Sequence, residues 1–114
     1  MNNKLRIAII GCTKSTENLI KELIKNKDIN LVGLITLDES LANKKARYVS
    51  LESKNFNRDF EVRKVKNLHD DFLIEKICSW SLDILIEIGW SQKIPSSILS
   101  IPKLGTVGIH NSLL

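Results

Sequence analysis

The chain has 114 residues, 43% of them hydrophobic and 26% charged, with a formal net charge of +4. That is enough for one domain with a modest core, and the balance is that of a soluble globular protein rather than a disordered or fibrous one. No apolar run reaches the ~20 residues of a membrane helix, and Cys12 and Cys78 have neither Cys-x-x-Cys spacing nor nearby histidines, which excludes a disulfide scaffold and a cysteine-based metal site.

Two lone thiols and an amino terminus that enters a strand directly, without a targeting segment, set the expected location as the cytoplasm, with no membrane association. The 17 Lys and Arg are scattered apart from Lys44, Lys45 and Arg47, so the positive balance reads as a solvated face before it reads as a nucleic-acid surface.

Residues 5–10 (LRIAII) form a first strand, apolar except for Arg6, and Gly11 ends it. Ser15 is the expected N-cap of the helix that follows, with Glu17 in its first turn. Leu19, Ile20, Leu23 and Ile24 make one apolar stripe at helical spacing, and Asn26, Lys27 and Asp28 close the helix. Residues 29–37 (INLVGLITL) are the second strand, completing a βαβ unit. The turn from Gly11 to Ser15 matches neither the dinucleotide fingerprint nor the P-loop. Asp38, placed where a ribose-binding acid would sit, reads as a turn-forming or helix-starting aspartate.

Residues 37–60 are polar and poorly periodic, long for a connection inside a domain. Ala46, Tyr48, Val49 and Leu51 are the expected anchors of that connection, with a short helical turn near residues 55–57. Residues 60–65 (FEVRKV) alternate as an edge strand does. Asn67 or Asp70 caps a helix whose apolar face is expected to carry Phe72, Leu73, Ile77 and Trp80; His69, just before it, reads as a surface or capping residue.

Residues 84–88 (ILIEI) are a fourth strand, broken by Gly89; residues 90–95 are a loop, a short helix follows, and residues 106–109 are a fifth strand. Within the fourth strand Glu87 stands out. It shares a face with Leu85, opposite Ile84, Ile86 and Ile88. A carboxylate there is costly unless it finds a partner, such as a lysine, or reaches the open end of the strand. Five strands alternating with three or four helices argue a Rossmann-like α/β three-layer sandwich around a mostly parallel five-stranded sheet. In such sheets ligands bind at the carboxyl edge, which here receives Trp90, Gln92, His110, Asn111 and Ser112.

The segment Asp83-Ile84-Leu85-Ile86, Gly89-Trp90-Ser91-Gln92, Ile94-Pro95, Leu99, Pro102, Gly105, His110 and Ser112-Leu113-Leu114 resembles, in order and spacing, the amino-terminal half of the formyltransferase family that uses 10-formyltetrahydrofolate. The first strand and the stretch from Asp38 to Val49 are similar to the sugar-modifying members of that family. The resemblance covers essentially the whole chain and makes residues 1–114 a formyltransferase amino-terminal-like domain.

What the resemblance implies is transfer of a formyl group from 10-formyltetrahydrofolate to a primary amine, without a metal. His110 matches the family's catalytic histidine, the group that stabilises the tetrahedral intermediate. Trp90, Gln92, Ile94 and Pro95 match the loop lining the folate pocket, and Asn111 and Ser112 are the candidate substrate contacts. Two departures accompany the match. The family's donor asparagine falls on Gly108, and the segment that should follow Leu114, carrying a later aspartate, is absent. The chain is therefore expected to be incomplete at its carboxyl end, inactive as this fragment alone, and prone to association, a homodimer included. The connection after the second strand, residues 37–50, holds three basic residues and no glycine. This favours a small-molecule amine acceptor, an amino group on a nucleotide-linked sugar, over tRNA. The alternatives are methionyl-tRNA formyl transfer and a non-catalytic folate- or nucleotide-binding α/β module.

Overall fold

The five expected strands pair into a single sheet. The structure, a computed structural model, describes residues 4–109. β1 (Leu5–Ile10), β2 (Ile29–Leu37), β3 (Glu61–Val65), β4 (Ile84–Ile88) and β5 (Thr106–Ile109) lie in the order β3-β2-β1-β4-β5. Every neighbouring pair is parallel. With α1 (Lys14–Leu23), α2 (Asp71–Ser79) and the single-turn α3 (Ser96–Leu99), this is the expected Rossmann-like α/β fold.

The helices divide between the faces because strand side chains alternate. Ile9, Leu31, Leu34 and Ile88 pack with Ile20 of α1 and with Leu51, Phe56 and Phe60 of the long connection. Ala8, Ile10, Ile35, Leu37 and Leu85 pack with Leu73 and Ile77 of α2 and Ile98 of α3. Leu31 and Leu34, three residues apart, share a face because the β1–β2 register slips: Ile7 lies opposite Leu31 but Ala8 opposite Gly33. One extra residue in a strand turns the following side chains to the other side. Ile9, Ile10, Leu34, Ile35 and Leu85 are fully buried, each worth about 1.5–3 kcal/mol of apolar transfer.

Several local expectations change. Thr13, not Ser15, is the N-cap of α1. Its backbone N–H donates to Thr16 Oγ1 (3.1 Å), so the hydroxyl that decides the helix start sits one residue beyond Ser15. Asp70 caps α2, accepting from the Phe72 N–H at 2.9 Å, while Asn67 accepts from the His69 N–H before it. Phe72 is 72% exposed. It lies about 100° around the helix from Leu73, and the buried stripe runs Leu73–Ile77, four residues apart. Trp80 is the cap of α2, buried, with its indole N–H donating to Glu61 Oε1 (3.1 Å).

The long connection holds two 3-10 segments, Glu39–Lys44 and Ser53–Phe56, in place of one turn near residues 55–57. Leu51 anchors it, Tyr48 and Val49 are half-buried, and Ala46 is exposed. Asp38 caps the first segment, accepting from the Ser40 N–H at 2.9 Å, as a helix-starting aspartate does.

Candidate functional site

At the carboxyl edge the sheet's order reverses between β1 and β4, and there the two strand-end loops are held against each other. Thr16 Oγ1 donates to the Ile88 carbonyl at 2.6 Å, and the Cys12 N–H donates to the Gly89 carbonyl at 3.2 Å. A Cβ on Gly11 would lie 1.9 Å from the Ile88 carbonyl oxygen, so only glycine lets the strands come this close. Gly89 has φ +74° and turns the chain back toward β1; a Cβ there would stand 2.1 Å from Thr13 Oγ1. Within the turn from Gly11 to Ser15 and the Thr16 that follows it, Cys12, Thr13 and Thr16 thus direct polar groups to the joint between α1 and β4, while Lys14 pairs with Glu17 at 3.2 Å. Cys12 belongs to the same joint. Its Sγ donates to the Gly89 carbonyl at 3.6 Å and burial pushes its thiol up, a setting that suits packing rather than nucleophilic chemistry.

Beyond Gly89 the loop that carries the sequence-predicted cofactor residues runs over the face covered by α2 and α3. Trp90 is 8% exposed and packs into that face's core. Its indole N–H finds no acceptor among the described residues. The Gln92 side chain donates to the Lys66 carbonyl at 3.4 Å, tethering the loop to the β3–α2 connection. Ile94 is half-buried against the same core. The carbonyl of Pro95 accepts from the N–H groups of Ile98 and Leu99, which starts α3.

Trp90, Gln92 and Ile94 come together on the wall of an open concavity of about 560 Å³, with Leu99, Glu87 and Gly108 completing it. That size falls in the range of small-molecule sites. Pro95 is half-buried and is not among the residues lining this concavity. His110, Asn111 and Ser112 lie outside the described residues.

Glu87, which the sequence marked only as an oddity, is at the centre of this edge. No lysine meets it among the described residues. It reaches the open end of β4, where Oε1 accepts the Trp90 backbone N–H at 3.2 Å. In the sheet register Glu87 is the partner of Gly108. A Cβ built on Gly108 would meet only Glu87 Oε2, at 3.4 Å. On its other side Glu87 borders a second concavity of about 390 Å³, walled by Thr13, Lys14, Ser15, Lys45 and Arg47. Arg47 holds a left-handed backbone conformation, φ +64°, where the loop turns over that concavity. A smaller pocket is lined by Cys12, Leu37, Leu41, Lys44, Lys45 and Trp90. The signal for Glu87 was present in the sequence as one charge in an apolar strand; its contacts required the β4–β5 register. Among the described residues no cluster of three metal-ligating side chains occurs, and no helix is long and apolar enough to cross a membrane.

No family model matches the chain. Curated relatives do. A methionyl-tRNA formyltransferase of Mycoplasma mycoides is 25% identical over 114 residues, 100% of this chain and 36% of that protein. One of Ureaplasma urealyticum is 26% identical over 111 residues, 97% of this chain and 36% of that protein. One of Buchnera aphidicola is 30% identical over 114 residues, 98% of this chain and 35% of that protein. The chain is thus similar along its whole length to proteins named as formyltransferases, and it spans about a third of the length of those relatives.

Proposed function

We propose that the protein carrying this chain transfers a formyl group from 10-formyltetrahydrofolate to a primary amine, and that the amine is that of methionyl-tRNA. The observation that carries this reading is the pairing of two concavities on one sheet edge: one walled by Trp90, Ile94 and Leu99, the other by Lys14, Lys45 and Arg47. The ring system of the folate donor suits the first, with apolar contacts from Trp90, Ile94 and Leu99 and polar groups from Gln92 and Lys93. A phosphate-bearing acceptor suits the second, because its basic side chains attract phosphates. In this reading residues 1–114 form the donor-binding part of a larger enzyme.

The chemistry places demands on that edge. As the amine attacks the formyl carbon, negative charge develops on the formyl oxygen and needs a donor aimed at it. His110, matched to the family's histidine, is the group we assign to that oxygen, and Asn111 and Ser112 are assigned to the acceptor. Gly108 supplies no donor, so the burden on His110 is greater than in the family pattern.

The acceptor is where the relatives' names weigh against the preference drawn from the loop. All three relatives described above are named for methionyl-tRNA. The glycine-free connection 37–50, with only Lys44, Lys45 and Arg47 as basic residues, is the observation that favours a nucleotide-linked amino sugar as the second reading.

The donor site is tested by titrating the protein with tetrahydrofolate in a calorimeter. Leu99 is 39% exposed and lines the concavity, so Leu99→Asp is expected to leave folding intact. Replacing an apolar wall contact with a carboxylate, which resists desolvation, is expected to weaken binding by roughly tenfold or more. Equal affinity in wild type and variant would remove the concavity from the donor site.

A further inference from the structure

Glu87 stands on the ridge between the two concavities and is the one acidic group among the described residues lining either of them. Every other charge on those walls is positive: Lys14, Lys45 and Arg47 on one side, Lys93 on the other. Its position is set by the backbone rather than by a counter-ion. Oε1 takes the Trp90 N–H (3.2 Å), and Oε2 lies toward Gly108, 3.4 Å from where a Cβ would stand, so the glycine places no side chain against it. A carboxylate is an acceptor only, so it cannot stabilise an oxyanion as an amide does. It can take a proton from nitrogen. Any group moving from a donor in one concavity to an acceptor in the other crosses this ridge.

We propose that Glu87 is a catalytic residue, the proton acceptor for the attacking amine, which reaches it from the basic concavity while Gly108 leaves room for the donor on the other side. The proposal rests on the formyl-transfer reading above. The amine nitrogen forms its bond to the formyl carbon, and the proton it must lose passes to Glu87 Oε2. The bond between the formyl carbon and the folate nitrogen then breaks. Its electron pair stays on that nitrogen, which takes the proton back from Glu87, and the carboxylate is restored. The carboxylate also draws the amine, as the one negative group in an otherwise basic surround.

The test is the steady-state kinetics of formyl transfer in the protein that carries this chain. Glu87→Gln keeps an oxygen to accept the Trp90 N–H and removes the base. It is expected to lower kcat by roughly 10²–10⁴-fold, with KM for the formyl donor and the melting temperature held near wild type. Glu87→Ala is expected to show the same loss and to regain activity when acetate is added, since the space beside Gly108 admits a small carboxylate. A wild-type kcat in Glu87→Gln overturns the role, as does a loss in Glu87→Ala that acetate leaves untouched. In either case the parent reading stands, because wild type still transfers formyl groups. A wild-type protein that transfers none to any amine overturns both.

Discussion

Thr16 and Gly89 decide how the two strand-end loops meet. Thr16 is fully buried; its Oγ1 accepts from the Thr13 N–H and donates to the Ile88 carbonyl, so one hydroxyl starts α1 and ties it to β4. Gly89 completes the joint by entering the left-handed region, at φ +74°, with Thr13 Oγ1 where its Cβ would be. Gly89→Ala combines left-handed strain with a steric clash, for an expected loss of roughly 2–4 kcal/mol. Gly108→Ala is the control: it is exposed, and its Cβ would come no nearer than 3.4 Å to Glu87 Oε2. That change is expected to stay within about 0.5 kcal/mol. Urea midpoints of the two variants measure the difference; equal midpoints would contradict the tight joint.

At the scale of elements, the edge strand β3 is tied to its surroundings by charge as well as by the ladder to β2. Lys64 pairs with Glu39 and with Glu52, joining the strand to the long connection, and Lys76 of α2 reaches Glu61 at 3.0 Å. The Trp80 indole, and then Lys76, hold the Glu61 carboxyl below its ordinary value of 4.5. Lys64 does the same for Glu39. A carboxyl lowered in the folded protein adds stability above its ordinary value, and that contribution is lost as pH falls through the folded value. Both groups are more than a third exposed, so the effect is modest. Urea midpoints are expected to fall as pH drops below about 4.5, and Glu61→Gln is expected to fall less steeply than wild type. Parallel slopes would contradict the Glu61 assignment.

The same elements explain what could be read from the sequence. The strands announce themselves through runs such as residues 5–10 and 29–37, because a parallel strand buries both faces and becomes continuously apolar. α1 starts after Thr13 rather than at Ser15 because Thr16 accepts the Thr13 N–H and donates to the Ile88 carbonyl, a contact between distant segments that local sequence does not display. Phe72 was misjudged because an apolar residue beside Leu73 looks like part of the stripe until the helix phase is fixed by Ile77. The connection 38–60 gave little, since its order comes from distant partners: Val49 donates to the Cys12 carbonyl and Tyr48 bridges to Thr13.

At the scale of the whole molecule, the sheet order brings the ends of β1, β4 and β5 to one edge, and the candidate site is a property of that edge rather than of any segment. The sequence singles out the loop from Trp90 to Ile94 by its resemblance to a family pattern, and the fold gathers Trp90, Gln92 and Ile94 on one concavity. The opposition of Glu87 and Gly108 was not legible in the sequence, because it depends on a register between strands some twenty residues apart in sequence. The basic wall of Lys14, Lys45 and Arg47 was likewise scattered in sequence and is gathered only by the fold. The most direct test of the account uses 10-formyltetrahydrofolate labelled in its formyl carbon, incubated with the protein that carries this chain, methionyl-tRNA and a nucleotide-linked amino sugar. The label is expected on the amino group of methionyl-tRNA; label on the sugar amine would replace the acceptor, and label on neither would contradict formyl transfer.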